Sequence, residues 1–446
     1  MGPIRRCRRA PCAVLATSAV VLALGLGLSA CSSPKATTSS STTAGPSPSA
    51  GAPKTVADNV GATGIPAFYT PPNPLPPGAP GAIIRTEKVT GVPGVPATAT
   101  VWRVLFHSRS IYGADIAESG YIVVPGGTSP KGGYPILTWA HGTTGFAGIC
   151  APSLFTSQGG VGPYVVPGLS DYLKAGFVVA ATDYEGLGTP GIHPYLLGAS
   201  EGRGVLDAAR AARLLPGLHT SNTVMIYGHS QGGQAALFAG ELAPTYAPEL
   251  HIAGVVAAAP ATGLSTILGV VTTSVGQSIL EFTIPVAYTW AKTYHDLPLS
   301  DLFTPAGQSA AESIVTQGCL PALIGAIGAR HLSATSVFAP GAATNPVVIA
   351  HAKMNDPGQT ETPAPMLIVQ GTADTTVPPA LTDTYVTKMA CPLKDTVDYL
   401  HVTGATHGTV VTVSVPTITQ WMSARLQRSP APSTCGRSGD VATLTP

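Results

Sequence analysis

Six apolar runs, each the length of a strand, alternate with stretches that suit helices, and this alternation constrains the fold more tightly than any other feature of the chain. The runs are "YPILTWA", "GFVVAATD", "TVMIYG", "IAGVVAAAP", "PMLIVQG" and "TVDYLHVTG". Between or after them lie "EGRGVLDAARAARLLP", "GGQAALFAGELA", "ALTDTYVTKMA" and "VSVPTITQWMSARLQ", with small or polar starts and Ala/Leu-rich bodies. Continuous apolar strands separated by helices predict an α/β fold with a mostly parallel sheet covered by helices on both faces. An antiparallel strand pair is expected first, over Thr98 to Pro125. Residues 261–355 break the rhythm with short apolar segments cut by Pro and Gly, and read as a helical insertion over the sheet. With 446 residues, 44% of them hydrophobic, one large domain over 65–440 carrying this insertion is expected.

The N-terminus, "MGPIRRCRRAPCAVLATSAVVLALGLGLSAC", has four arginines, an apolar run and small residues, the layout of an export signal over 1–30. Its loss removes those four arginines and no acid, so the net charge of +1 becomes −3. No basic patch points to nucleic acid. "LSAC" resembles the lipobox of bacterial lipoproteins, which implies diacylglycerol on Cys31 and an exported, cell-envelope protein anchored to the outer face of the membrane or partly secreted. Residues 31–64 are rich in Ser, Thr, Pro, Gly and Ala and are expected to form a flexible linker.

Of seven cysteines, Cys7 and Cys12 leave with the signal and Cys31 is the lipidation candidate. Cys150, Cys319, Cys391 and Cys435 remain, an even set that predicts two disulfides in one of three pairings. Their spacing is too wide for a zinc knuckle and there is no HExxH, so neither a metal nor another cofactor is expected.

Ser230 stands in Gly228-His229-Ser230-Gln231-Gly232, between the strand "TVMIY" and the helix "GQAALFAGELA". A serine on so tight a strand-to-helix turn is held in strained backbone geometry with its hydroxyl projecting at the sheet edge, and glycines let strand and helix approach. Its hydroxyl needs a base, and the base an acceptor to fix its tautomer. Where such an elbow occurs, the partners follow in the order Ser, Asp/Glu, His. Asp374 lies just after "PMLIVQG" and His407 just after "TVDYLHVTG", so both are expected at the carboxyl edge of the sheet. Asp374 also suits a helix cap near Pro378, and Asp356 is the reserve acid. His401, within an apolar strand, reads as packed. An oxyanion needs two donors, for which the backbone N–H groups of Gln231 and of Thr143, in "WAHGTTG", are the candidates, with Thr144 next; the same segment also suits a plain turn. "GLGTPG" matches GxGxxG, but Pro190 and "IHPYL" open no helix, which argues against a dinucleotide. His193, His219 and His251 read as structural or solvated.

Taken in order, the elbow, "WAHGTTG", "DYEGLGTP" leading to "VLDAARAARLLP", "GTADTTVP" and "GATHGT" make residues 65–440 resemble the secretory lipase (lipase A-like) family of α/β-hydrolases. The resemblance implies Ser230, Asp374 and His407 as the catalytic triad, the insertion as a helical lid, and disulfides Cys150–Cys319 and Cys391–Cys435. The function it implies is hydrolysis of esters with hydrophobic acyl groups, by a monomer acting on lipid or other ester substrates, with activity falling as His407 protonates. The same acyl-enzyme would serve an acyltransferase, and a hydrolase scaffold also serves non-catalytic binding proteins of the cell envelope.

Overall fold

Strands such as β6 (Val178–Thr182) and β9 (Met366–Gly371) are buried along their whole length, because helices cover the sheet on both faces and leave no wet side for polar alternation. The computed structural model describes residues 64–156 and 164–436, with the backbone of 54–55 and 442–444. The export signal and Cys31 lie outside the described residues. The other strands are β1 (Lys54–Thr55), β2 (Ile83–Thr90), β3 (Thr100–Arg109), β4 (Asp115–Val124), β5 (Tyr134–Ala140), β7 (Thr220–His229), β8 (His251–Ala258), β10 (Val397–Val402) and β11 (Ala442–Leu444). They form one sheet in the order β1-β2-β3-β4-β6-β5-β7-β8-β9-β10-β11. From β6 to β11 every pairing is parallel, while β2, β3, β4 and β6 run antiparallel in turn.

Helices Gly198–Leu214 and Gln231–Tyr246 pack Val205, Leu206, Ala235 and Leu237 on one face of the sheet. On the other face, helices Leu169–Lys174, His407–Val413 and Val415–Leu426 supply Tyr172, Val410, Ile418 and Met422. Between β8 and β9 the chain is helical: Leu264–Leu268, Ser274–Gln277, Leu280–Thr293, Leu299–Leu302, Pro305–Gln317, Leu320–Ala329, Ala334–Val337 and Pro346–Met354. These helices bury an apolar cluster of their own around Trp290, Ile284 and Phe338.

Several elements differ from the sequence expectation. β2 was not anticipated; its sequence "IIRTEKVT" is half-buried nearly throughout and carries three charges, so it lacks the apolar run that marks the inner strands. The expected linker to residue 64 overreaches, since Lys54–Thr55 pairs with Val89–Thr90, and β11 lies beyond residue 440. The last expected helix, 413–427, is preceded by a separate one, His407–Val413, and the helix after Pro378 turns π-helical over Tyr385–Ala390.

Candidate active site

The turn from β7 into the helix Gln231–Tyr246 is as tight as its glycines suggest. Ser230 has φ 58° and ψ −117°, a conformation that L residues rarely adopt. A Cβ on Gly228 would lie 1.8 Å from the Gly232 carbonyl oxygen, and one on Gly232 would lie 1.9 Å from that of Ala140. No side chain fits at either position, so strand, helix and the end of β5 meet backbone to backbone. The turn is held from outside as well: the Ser230 N–H donates to the Ala258 carbonyl, and the Ser230 carbonyl accepts from the N–H groups of Gln234 and Ala261.

β9 and β10 end in two loops that lock together. Ala373 N–H donates to the Ala405 carbonyl, Thr372 N–H to that of Val402, and Gly371 approaches Ala405 so closely that a Cβ would lie 2.3 Å from its oxygen. This interlock brings Asp374 and His407 together from positions 33 residues apart. His407 Nδ1 donates to Asp374 Oδ2 at 2.8 Å, and Ser230 Oγ donates to His407 Nε2 at 2.8 Å. Asp374 is 4% exposed, and its other oxygen accepts the N–H groups of Thr376 and Val377, each at 2.9 Å. It therefore also closes the turn before the next helix, the local role that its sequence position allowed. Gln370 Nε2 adds a further bond to Oδ2 at 3.1 Å. Burial pushes the Asp374 carboxyl up, but the hydrogen bond and charge of His407 and the two amides outweigh it and hold the group below the ordinary Asp range. It is the fixed anion that an imidazolium would need.

The other candidates fall in different places. Asp356 accepts the N–H groups of Leu264 and Ser265 and the Ser265 hydroxyl, where the insertion begins. His401, half-buried on β10, pairs with Asp383 at 3.0 Å. Gln231 opens its helix, and its N–H has no backbone partner among the described residues. Thr143 lies on the loop after β5, beside the elbow through the Gly232–Ala140 contact, and its hydroxyl bonds Tyr195 Oη at 2.7 Å. That loop is tied by the Cys150–Cys319 disulfide and pairs with the segment at Cys319: Gly145 forms a β-bridge with Cys319, and Leu320 N–H donates to the Thr144 carbonyl at 2.9 Å. The second disulfide joins Cys391 to Cys435. "GLGTPG" forms turns with positive φ at Gly186, Gly188 and Gly191, and the next helix starts only at Gly198.

His193, read as structural or solvated, is structural, but sequence reading missed Glu201 and the meeting of both with the Gln231 side chain under the elbow. Gln231 Nε2 donates to His193 Nε2 and to Glu201 Oε1, both at 2.8 Å, and Leu196 N–H also donates to Glu201 Oε1. His193 Nδ1 donates to the Glu185 carbonyl, which fixes the neutral tautomer that can accept from Gln231. Burial pulls His193 down to about 3 and pushes Glu201 up to about 8, so both are uncharged at neutral pH. His229 was also passed over. Its ring stands 4.8 Å from that of His407, and its Nε2 donates to the His407 carbonyl at 2.9 Å. Burial first, then the charge of His407, holds His229 down to about 4, so it supports the loop without adding a competing charge. The partners of Gln231 and of His229 lie 30 to 178 residues away, and only the topology joins them.

The model of the secretory lipase family matches residues 164–434. A "probable inactive lipase" of Mycobacterium tuberculosis is 29% identical over 204 residues, 43% of this chain and 44% of that protein. Lipase A of Moesziomyces aphidis is 27% identical over 42% of this chain and 41% of its own length. The chain thus spans less than half the length of these two curated relatives. Among solved structures, Candida antarctica lipase A in its closed state superposes with a TM-score of 0.68 over 85% of this chain and 91% of that one, at 19% identity. The architecture shared with it is the α/β-hydrolase fold, and the chain belongs to the secretory lipase family.

Proposed function

We propose that this protein hydrolyses carboxylic esters through an acyl-enzyme on Ser230. The observation that carries the reading is the unbroken chain Ser230 Oγ, His407 Nε2, His407 Nδ1, Asp374 Oδ2, with 2.8 Å at each hydrogen bond and the serine on a strained elbow. Ser230 attacks the carbonyl carbon and gives its proton to His407. Asp374 stabilises the imidazolium, and His407 then protonates the leaving alcohol. The N–H groups of Gln231 and Thr143 hold the oxyanion at the junction of helix and loop. Water, deprotonated by the same histidine, releases the acid and restores the serine.

The insertion acts as a lid. Its apolar cluster, which takes in Phe146, Tyr195 and Leu196 beside the elbow loops, supports hydrophobic acyl groups as substrates. Export and a lipid anchor at Cys31 complete the reading; mass spectrometry of the mature N-terminus should find diacylglycerol on Cys31, and an unmodified terminus elsewhere would end that part of it.

The decisive experiment is initial rates on p-nitrophenyl esters from acetyl to palmitoyl, with Ser230→Ala alongside. Wild-type turnover that drops at least about 10⁴-fold in the variant is expected. Equal rates in the two proteins, or none in a folded wild type, would refute the proposal.

A further inference from the structure

One residue touches both the candidate oxyanion loop and the insertion. Tyr195 follows β6, precedes helix Gly198–Leu214 and is 2% exposed. Its Oη bonds Thr143 Oγ1 at 2.7 Å, and its ring meets that of Phe146, in the same loop as Thr143, edge to face at 4.8 Å. Its carbonyl accepts from Nε1 of Trp290, in the insertion helix Leu280–Thr293, at 2.8 Å. Trp290 is itself buried, in the apolar cluster that also takes in Tyr195 and Phe146. Any buried tyrosine hydroxyl needs a partner. Here the two polar ends of one residue reach different parts of the molecule.

The stretch around Tyr195 is strained and braced. Leu196 has φ 56°, a left-handed conformation unfavourable for leucine. It persists because Leu196 N–H donates to Glu201 Oε1 at 2.8 Å and its carbonyl accepts from Gln234 Nε2 at 3.2 Å. Glu201 Oε1 also receives the Gln231 side chain. Both residues whose N–H groups are the candidate oxyanion donors, Gln231 and Thr143, are therefore held by the stretch 193–201. Such donors stabilise a tetrahedral intermediate only when they are fixed in advance.

We propose that Tyr195 is a positioning residue that holds Thr143 at the oxyanion and makes its placement depend on how the insertion is seated. The hydroxyl sets the loop, and the carbonyl carries the position of Trp290 to it. This inference rests on the proposed ester hydrolysis.

The test is steady-state hydrolysis of p-nitrophenyl butyrate by the wild-type protein and by Tyr195→Phe, Thr143→Val, Thr143→Ser and Trp290→Phe, with the melting temperature of each recorded. Tyr195→Phe keeps the ring and loses the hydroxyl, and Thr143→Val breaks the same bond from a half-buried residue, so either reports if the other fails to fold. In both, kcat should fall about 10- to 100-fold. Acylation and deacylation both pass through the oxyanion, so KM should stay within about threefold of wild type. The double variant should be no slower than the slower single, and Thr143→Ser, which keeps a hydroxyl, should stay near wild type. Trp290→Phe should lower kcat in the wild-type background and change it little in Tyr195→Phe. An unchanged kcat in folded Tyr195→Phe or Thr143→Val, a loss carried by KM alone, or a Thr143→Ser as slow as Thr143→Val would overturn the positioning role. Equal effects of Trp290→Phe in both backgrounds would overturn the tie to the insertion. No turnover by a folded wild type would refute the ester reading and this inference with it, whereas an active wild type with unaltered variants would refute this inference alone.

Discussion

Side-chain caps are commoner at the starts of the insertion helices than at the starts of the helices around the sheet. Leu169–Lys174, Gly198–Leu214, Gln231–Tyr246 and Val415–Leu426, which cover the sheet, start with no side chain capping their first N–H groups, while a fifth, His407–Val413, starts in a capping box of Thr406 and Thr409. In the insertion, Thr273, Thr304, Ser333 and Asn345 each accept a first-turn N–H, and Pro305 and Pro346 follow two of them. The sheet helices are placed by what they pack against, and their ends follow from that. Four of the eight insertion helices, which have no sheet to lie on, carry such start signals, and Leu264–Leu268, Leu280–Thr293, Leu299–Leu302 and Leu320–Ala329 start without a side-chain cap. Long-range contact places the helices on the sheet, and local sequence adds to packing at half of the insertion's helix starts.

Four experiments would sharpen or break this contrast. The largest effect is expected at the sheet edge, where Asp374→Asn should lower kcat about 10⁴-fold by giving His407 the wrong tautomer. Its melting temperature should stay close to wild type if the interlocked loops hold; a large fall in it would mean that Asp374 holds the fold as much as the chemistry. Next, the double substitution Cys150→Ser and Cys319→Ser opens a link across 169 residues and should cost about 2–5 kcal/mol. Amide exchange should then rise first in 264–354, and a uniform rise across sheet and insertion would show one cooperative unit in place of two.

The third is pH. His141 and His193 are buried and held down to about 4 and about 3, so the unfolded chain, with ordinary histidines near ~6.5, takes up protons first. Their contribution to stability is complete above ~6.5 and drains as the pH falls toward 4, by about 1.4 kcal/mol per unit for each group. Glu201 has the opposite sign: raised from 4.5 to about 8, it contributes fully below 4.5 and loses that contribution as pH rises to 8. All three lie beside the sheet, His141 in the loop after β5, His193 in the loop after β6 and Glu201 in helix Gly198–Leu214, so the melting temperature should fall on both flanks, and Glu201→Gln should flatten only the alkaline one. An alkaline flank unchanged in Glu201→Gln would assign that slope to other groups. The smallest effect is Thr304→Ala in the insertion, expected to cost about 1 kcal/mol in denaturant titration; no loss would mean that packing, and not the cap, sets that helix start.

The inner strands and the site loops were legible because each is an apolar run followed by a polar turn, and Ser230, Asp374 and His407 each follow such a run. β2 was not, since Arg85, Glu87 and Lys88 interrupt it and only pairing with β3 makes it a strand. The insertion was recognisable by its lack of strands, while Thr304-Pro305 and Asn345-Pro346, its clearest start signals, mark helices with too little apolar periodicity to stand out. The bed under the elbow was illegible for another reason: nothing local distinguishes His193 or Glu201 from a solvated residue, and their meeting at Gln231 is a product of the crossover from β6 through helix Gly198–Leu214 to β7.

The Cys150–Cys319 bond also gives the molecule a covalent topology. It closes a ring that includes β6, β7, β8, the elbow and the first five helices of the insertion. A protease that cuts one exposed turn within that ring leaves a single covalent molecule, with Ser230 still joined to both halves. A cut after Cys319, among the last three insertion helices, leaves the Ser230 piece and the Asp374–His407 piece with no bond between them. Tolerance to nicking should therefore change sides at residue 319, with the same kind of turn harmless on one side and costly on the other.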